Sequence, residues 1–322
     1  MWFIFISVLA VILISVYYAL RSTSFTLNGK HVLITGGSKG IGRCIAEECW
    51  KLGANVTLIA RNEKDLQNAQ QQIIASTKSQ NGQKINYFAI DICNNYELVE
   101  KTVREAESLS GPIFLLFNCA GNAISHRFDE TPLEVFKQMI DVNYVGAVYC
   151  TKAVLPTMKT RKEGRIVFFS SVAGLVGIYG FSAYSASKFA LVGFAQALLM
   201  EVKPYSIGVT VSLPPDTDTP GFAKEQETKP IETKVICEGA GLWDPVVVAK
   251  KTISDAMNSK FASTVGLESF AVKIAASGMF PIDSWFEFCI QFFSMGLFRA
   301  VFAYFLFSCQ RIVAKHSKSK SD

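Results

Sequence analysis

The stretch HVLITGGSKGIG, residues 31–42, joins a short apolar strand to a glycine-rich turn and the start of a helix. Glycines in such a turn let backbone amides and a helix N-terminus approach a pyrophosphate closely. The spacing, T-G-x-x-x-G-x-G, differs from the G-x-G-x-x-G of the older dinucleotide-binding fingerprint. The alternative is a turn whose glycines serve only the tight bend. We predict a dinucleotide-binding turn with these contact residues: Gly36, Ser38, Lys39, Gly40, Ile41 and Gly42.

Outward from this turn, short β-branched runs alternate with helical stretches as far as about residue 210. This alternation indicates parallel strands joined by right-handed crossovers, and strands buried on both faces are almost continuously apolar. We predict an α/β fold with a doubly wound parallel sheet. The predicted strands are 31–35, 55–60, 84–90, 113–117, 165–170 and 207–213, and the predicted helices are roughly 41–52, 62–78, 95–109, 132–159 and 183–203.

The residues that end the second and third predicted strands indicate which dinucleotide cofactor the protein binds. Where an NAD-binding enzyme places an acidic residue for the ribose hydroxyls, this chain has Arg61. A cation suits a 2′-phosphate, and Lys39 in the turn adds a second one, so NADPH is the expected cofactor. A solvated arginine at a strand end is the alternative. Asp91, at the end of the third strand, is predicted to reach the adenine edge.

Tyr184 and Lys188 are four residues apart in a predicted helix, and Ser171 lies thirteen residues before the tyrosine. Residues four apart share one helix face, so Lys188 is expected beneath the tyrosine ring. A nearby cation favours phenolate, so we predict that Lys188 lowers the phenol pKa from its usual value of about 10. Ser171 is preferred to Ser170 because of the alternation along the preceding strand. The pattern indicates proton transfer at a carbonyl, and an ordinary surface helix is the alternative.

Together these motifs resemble the short-chain dehydrogenase/reductases over about residues 29–260. The resemblance rests on 35–42, Asn118-Cys119-Ala120-Gly121, Asn143, Ser171, Tyr184 and Lys188. It implies that Tyr184 donates a proton to a ketone oxygen while NADPH delivers hydride to the carbonyl carbon. Ser171 then hydrogen-bonds that oxygen, and Lys188 also holds the nicotinamide ribose. It further implies that Asn118 contacts the cofactor and that Asn143 keeps a water in a proton relay, a helix kink being the other reading of Asn143.

The loop that follows the sixth strand reads PPDTDTPGF, residues 214–222. Most family members have Pro-Gly where this chain has Pro214 and Pro215, and the departure resembles the members that act on sphingoid ketones. Rigid prolines fix the loop, and Thr217 and Thr219 are expected to turn their hydroxyls toward the carboxamide. The resemblance implies NADPH-dependent reduction of 3-ketosphinganine. A membrane reductase of a steroid, retinoid or fatty-acyl ketone and an inactive nucleotide-binding scaffold are the alternatives.

The first twenty residues carry no charged side chain. As a helix they would span about 30 Å, the thickness of a bilayer core. No basic segment precedes them, which disfavours the competing signal peptide. We predict a transmembrane anchor over residues 1–24. Arg21, Lys30 and His31 follow it, so the positive-inside tendency places the catalytic domain, residues 29–262, in the cytosol.

The segment 266–310 is rich in aromatic residues that a soluble tail could not leave exposed, which predicts a membrane-associated region. Asp283, Glu287 and Arg299 interrupt its apolar runs. We therefore prefer an interfacial or re-entrant helical pair to spanning helices. A hydrophobic oligomer interface is the alternative. The residues 311–322 form a basic tail, predicted to be cytosolic. Its last five residues, 318–322, resemble a dilysine endoplasmic-reticulum retrieval signal, so the predicted location is that membrane.

Composition narrows the remaining possibilities. The eight cysteines form no C-x-x-C pair and no zinc-spaced cluster with histidine, so no metal is predicted. The net charge of +5 comes without a basic stripe, so a nucleic-acid partner is not expected. The expected partners are a long-chain lipid ketone and membrane lipid. The family resemblance adds a homodimer or homotetramer formed through the helices at 132–159 and 183–203.

Overall fold

The computed structural model describes residues 26–77 and 82–318. The predicted membrane anchor at 1–24 and the end of the basic tail lie outside the described residues. Seven parallel strands form one sheet in the order β3-β2-β1-β4-β5-β6-β7. The strands are β1 His31–Thr35, β2 Asn55–Ala60, β3 Ile85–Ala89, β4 Ile113–Asn118, β5 Gly164–Phe169, β6 Ile207–Leu213 and β7 Ala262–Thr264.

Eleven helices of the described chain surround or extend this sheet. They are α1 Gly40–Lys51, α2 Glu63–Ser76, α3 Tyr96–Ser110, α4 Leu133–Ile140, α5 Gly146–Arg161, α6 Ser182–Val202, α7 Pro220–Thr228, α8 Ile231–Cys237, α9 Pro245–Met257, α10 Gly266–Ala276 and α11 Trp285–Lys318. One hydrophobic core joins α3, α5 and α6 to one face of the sheet, and a second joins α1, α2 and α9 to the other. The predicted doubly wound parallel sheet is therefore confirmed.

The strands are parallel, so their carboxyl ends, which carry the predicted site residues, all lie on the same side of the sheet. β1 pairs with β2, where Val32 lies opposite Val56, and with β4, where Leu33 lies opposite Leu116. The strand order reverses between β1 and β4, and in such sheets ligands bind beyond the carboxyl ends at the reversal. The glycine-rich turn follows β1 at this point. The strand order alone therefore predicts where the binding site lies.

All six predicted strands are confirmed, with each end within one residue of its predicted position. The seventh, β7, was not predicted. It pairs in parallel with β6 over three residues, which is too short to show periodicity in the sequence. It also extends to Thr264, two residues past the boundary predicted for the catalytic domain.

The helix predicted over 132–159 is interrupted in the structure. A π-helical turn, Asp141–Val145, separates α4 from α5 and contains the buried Asn143. Such turns occur mostly as single insertions and often at functional sites. The helix interruption and the predicted site residue Asn143 therefore lie at the same position in the chain.

The C-terminal region contains α10, which packs on the catalytic domain, and the long helix α11. Ile274 of α10 is fully buried. In contrast, the segment Trp285–His316 is long and apolar enough to cross a membrane, and its most apolar window is not buried in the protein. The segment Ser182–Tyr205 meets the same criterion of length and composition, but it includes α6, a partly buried core helix.

Two of the charges that interrupt the apolar C-terminal sequence belong to a buried ion cluster. Lys273 Nζ lies 3.1 Å from Asp283 Oδ2 and 2.8 Å from Glu287 Oε1. The Asp283 carboxylate also accepts the backbone N–H groups of Phe261, at 2.6 Å, and Ala262, at 3.4 Å. These contacts join α10, the start of α11 and the edge of the sheet. Asp283 and Glu287 therefore attach α11 to the catalytic domain.

Candidate active site

A cavity of about 1060 Å³ lies at the carboxyl ends of the strands. Its wall includes the glycine-rich turn, Tyr184 and Lys188, together with residues of α10 and α11 such as Phe302 and Phe305. The volume lies at the upper end of the range for small-molecule sites. The cavity therefore brings the predicted cofactor turn, the predicted catalytic pair and the apolar C-terminal helix to one place.

The glycine-rich turn has the geometry of an anion site. Gly36 and Gly40 have φ of +67° and +54°, a region that favours glycine. A Cβ at Gly36 would also lie 2.9 Å from the backbone of Ala120. Lys39 precedes α1 without capping it through its side chain, so the first amides of the helix remain available to a phosphate. These residues fit a dinucleotide pyrophosphate. All six predicted contacts line the cavity: Gly36, Ser38, Lys39, Gly40, Ile41 and Gly42.

Beside this turn, Arg61 is exposed on the cavity wall at the end of β2. Lys39 Nζ forms an ion pair with Asp65 Oδ2 at 2.7 Å. Asp65, on the first turn of α2, also lines the cavity and was not predicted. The sequence feature that could have identified Asp65 is its position four residues after Arg61. Of the two cations predicted to contact the cofactor here, Lys39 is thus ion-paired, and Arg61 forms no ion pair among the described residues.

Asp91 and Asn118, predicted to contact the cofactor from the ends of β3 and β4, lie differently with respect to the cavity. Asp91 lines the cavity, and its Oδ1 accepts the backbone N–H of Cys93 at 3.2 Å. Asn118 is buried behind the cavity wall, and its Nδ2 donates to Thr151 Oγ1 at 3.2 Å. Its side chain therefore connects β4 to α5, and Asn118 is not among the residues that line the cavity.

Tyr184, Lys188 and Ser171 come together as the spacing predicts. Lys188 Nζ lies 5.5 Å from the centre of the Tyr184 ring and donates to the backbone oxygen of Phe169 at 2.7 Å. The Ser171 hydroxyl lies beside the Tyr184 phenol and opposes the rise of its pKa. Ser170 Oγ donates to the backbone oxygen of Lys188 at 2.9 Å, which holds α6 against β5. Ser171 is therefore the serine that acts beside the phenol.

The predicted lowering of the Tyr184 pKa is not observed: the pKa is raised, and Lys188 is not among the groups that shift it. Burial raises the pKa of Tyr184, the negative charge of Glu225 raises it further, and the Ser171 hydroxyl opposes them. Burial also lowers the pKa of Lys188 to about 8. Loss of solvent disfavours the charged form of each group, and the Lys188 ammonium donates its hydrogen bond to the Phe169 carbonyl. At neutral pH the phenol is protonated and can act as a proton donor.

Asn143 connects a loop to the catalytic helix. Its Oδ1 accepts the backbone N–H of Asn122 at 3.0 Å, and its Nδ2 donates to the Asn122 oxygen at 3.1 Å and to Ser187 Oγ at 2.9 Å. A Cβ at Gly121 would lie 2.7 Å from Asn143 Oδ1 and 3.5 Å from Lys188 Nζ. The glycine therefore lets the amide approach the lysine. Both amide hydrogens are engaged, so Asn143 positions the loop and α6.

The two threonines of the loop after β6 line the cavity, as does Pro214, but their hydroxyls serve the loop itself. Thr217 Oγ1 donates to the Pro215 oxygen at 2.8 Å. Thr219 caps α7 by accepting the N–H of Phe222 at 3.1 Å. These short-range contacts fix the bend that closes this side of the cavity, and a contact of either hydroxyl with a carboxamide stays a prediction.

A cluster of charges that the sequence analysis missed lies on α7 and the same loop. Lys229 Nζ lies 3.0 Å from Glu225 Oε1 and 3.3 Å from Asp216 Oδ2. It also stands over the rings of Phe181 and Phe222, at 5.3 and 5.4 Å from their centres. The only signal in the sequence was the four-residue spacing of a glutamate and a lysine.

Comparison with known proteins identifies the family. Residues 30–230 match the family model described as short chain dehydrogenase. The chain is 46% identical over 289 residues to a Danio rerio protein named 3-dehydrosphinganine reductase, covering 90% of this chain and 87% of the relative. It is 44% identical over 295 residues to the 3-ketodihydrosphingosine reductase of Bos taurus, covering 92% and 89%.

Solved structures share the fold. Levodione reductase superposes with a TM-score of 0.69 at 20% identity, covering 76% of this chain and 99% of that one. A Burkholderia phymatum short chain dehydrogenase/reductase, solved in complex with NAD, superposes with a TM-score of 0.69 at 23% identity, covering 80% and 96%. The model match, the relatives and the parallel sheet agree. The chain therefore belongs to the short-chain dehydrogenase family, whose members bind a nicotinamide cofactor.

Proposed function

We propose that this protein reduces the ketone of 3-ketosphinganine to the hydroxyl of sphinganine with NADPH, at the endoplasmic-reticulum membrane. The observation that carries the proposal is the joining of Ser171, Tyr184 and Lys188 to an uncapped helix N-terminus in one cavity. The substrate follows from relatives that bear that activity in their names and align over most of both chains.

When bound, the cofactor supplies a hydride to the carbonyl carbon. The residues of this chain handle the carbonyl oxygen, which receives the electron pair of the former C=O bond. Ser171 donates a hydrogen bond as negative charge develops there, and Tyr184 donates the proton that completes the alcohol. Lys188, held by the Phe169 carbonyl, keeps a positive charge beside the phenolate that remains.

NADPH is proposed over NADH because of Arg61. Its guanidinium is exposed on the cavity wall, and no acidic side chain is hydrogen-bonded or ion-paired to it among the described residues. A guanidinium can hold a 2′-phosphate through two parallel hydrogen bonds. Lys39 sits nearby but is paired with Asp65, so Arg61 makes the selective contact.

Membrane attachment is proposed from both ends of the chain. α11 exposes large apolar side chains, among them Phe292, Phe293 and Tyr304, each at least 70% exposed. Farther along the same helix, Phe302 and Phe305 line the cavity. A long acyl chain could then pass from lipid to the site without crossing water. The cytosolic orientation follows from the basic residues that flank the apolar N-terminal segment.

Pairing of subunits through α4 to α6 is also proposed. These helices expose Leu133, Phe189 and Met200, at 80%, 44% and 73%. Exposed apolar side chains on the faces of neighbouring helices favour an interface.

The experiment is an assay of the purified, detergent-solubilised full chain with NADPH and 3-ketosphinganine. We expect NADPH consumption and formation of sphinganine in equal amounts. Tyr184→Phe is the matched control, because it keeps the ring but removes the proton donor, and it should lower kcat by about 10²- to 10⁴-fold while NADPH binding stays within a few-fold. Turnover of a steroid, retinoid or fatty-acyl ketone in preference to 3-ketosphinganine would contradict the assigned substrate.

A further inference from the structure

Glu225 is a buried carboxylate on the wall of the active-site cavity. It lies on α7, its residue is 8% exposed, and Asp216 lines the same cavity from the loop after β6. A buried carboxylate is costly unless a cation or several hydrogen bonds compensate it. Its position in a cavity that binds substrate therefore requires an explanation.

Among the described residues, the ion pairs around Glu225 join two carboxylates to one cation. Lys229 is the cation paired with both carboxylates, and its side chain is 1% exposed and covered by two aromatic rings. By hydrogen-bond geometry Glu225 Oε1 has no partner among the described residues, although Lys229 Nζ lies 3.0 Å away. The neighbouring Cys237 thiol adds no charge, because burial raises its pKa to about 11. Two carboxylates thus share one ammonium.

The cluster acts on the reacting group. The Phe181 ring links the two, because its centre lies 5.3 Å from Lys229 Nζ and 5.3 Å from the centre of the Tyr184 ring. In agreement with this proximity, the charges of Glu225 and, more weakly, Asp216 raise the pKa of Tyr184. A ketone oxygen that meets Tyr184 and Ser171 is therefore bound close to a negatively charged wall. For a simple ketone this wall offers no attraction.

The proposed substrate differs from a simple ketone in the group that would lie next to this negatively charged wall. In 3-ketosphinganine the carbon next to the ketone carries an amino group, which is an ammonium at neutral pH. We propose that Glu225, assisted by Asp216 and held in place by Lys229, binds this ammonium and makes the enzyme selective for 2-amino ketones. The inference rests on the proposed function, and it names the residue that separates the sphingoid ketone from other lipophilic ketones.

The test compares two substrates in one enzyme. Glu225→Gln keeps the size of the side chain and removes its charge. We expect the ratio of kcat/KM for 3-ketosphinganine to kcat/KM for the same hydroxyketone without the amino group to fall about 10- to 100-fold, the range for a hydrogen bond to a charged group. The ratio is the right measure, because any effect of the substitution on the Tyr184 pKa changes both substrates equally. Asp216→Asn should lower the ratio less.

The matched control is Glu227→Gln, the same charge change on an exposed residue of the same helix. Its ratio should equal that of the unmodified enzyme. A ratio unchanged in Glu225→Gln, or equal losses for both ketones, would show that the cluster only braces α7 and would overturn the inference. Failure of the unmodified enzyme to reduce 3-ketosphinganine would instead overturn the proposed function, so the two failures are distinguishable.

Discussion

Burial, more than any single charge, sets the protonation states of the catalytic side chains. It raises the pKa of Tyr184 and lowers the pKa of Lys188 to about 8. The phenol is therefore neutral at neutral pH. The lysine is still charged at neutral pH, but its pKa lies only about one unit higher. Reduction needs this combination, because the phenol must carry the proton that it gives away.

The first prediction at this scale concerns pH. Ketone reduction requires the charged form of Lys188, and its folded-state pKa lies below its ordinary value, so the charge is lost early on the alkaline side. We expect kcat/KM to be nearly constant at neutral pH and to fall above about pH 8, approaching tenfold per unit. Steady-state rates across this range check it. A profile that stays flat to about pH 10, the ordinary value for lysine, would contradict it.

A second prediction concerns the cofactor. Arg61→Asp places a carboxylate where the 2′-phosphate is proposed to bind, so the ratio of kcat/KM with NADPH to that with NADH should fall about 10- to 100-fold or more. Lys64→Asp, the same charge change at an exposed position of α2 outside the cavity wall, is the control. If Arg61→Asp and Lys64→Asp give equal ratios, the phosphate contact is absent.

At the scale of elements, short-range contacts decide where helices begin and break. Thr219 starts α7 by capping it, and the π-helical turn at Asn143 divides α4 from α5. The sequence pattern around Asn143 does not mark this division. The pattern of residues 132–159 therefore predicted one helix, whereas the amide contacts of Asn143 require an extra residue in the turn.

The attachment of α11 gives a prediction at this scale. Lys273→Met leaves two buried carboxylates without their cation, which should cost about 3–5 kcal/mol and lower Tm by about 10 °C. Thermal unfolding of the detergent-solubilised protein measures it. Lys234→Met, at an exposed position of α8, should leave Tm nearly unchanged. Equal Tm values for the two variants would mean that the ion cluster contributes no stability.

At the scale of the whole molecule, the long apolar helix and the catalytic cavity share a wall. Phe302 and Phe305 belong to α11 and line the cavity that contains Tyr184. Local sequence gave no reason to join a C-terminal helix to a site built more than a hundred residues earlier. This contact links membrane attachment to substrate binding.

The prediction is a chain-length effect. Phe302→Ala with Phe305→Ala removes apolar surface from the proposed path of the acyl chain, so KM for a long-chain ketone should rise about tenfold while KM for a short-chain analogue stays nearly constant. Phe307→Ala, on the same helix but outside the cavity wall, is the control. An equal rise for both chain lengths would place the acyl chain elsewhere.

Sequence alone determined the parts of this protein that depend on local pattern. Apolar runs and glycine spacing predicted six strands and the cofactor turn, because buried parallel strands and tight turns restrict residue type directly. The four-residue spacing placed Lys188 beneath Tyr184 for the same reason. Only the tertiary structure decided the features that depend on distant neighbours: the direction of the Tyr184 pKa shift, the pairing of β7 and the charge cluster at Glu225. These arise where segments far apart in the chain exclude water together, and no local pattern records that exclusion.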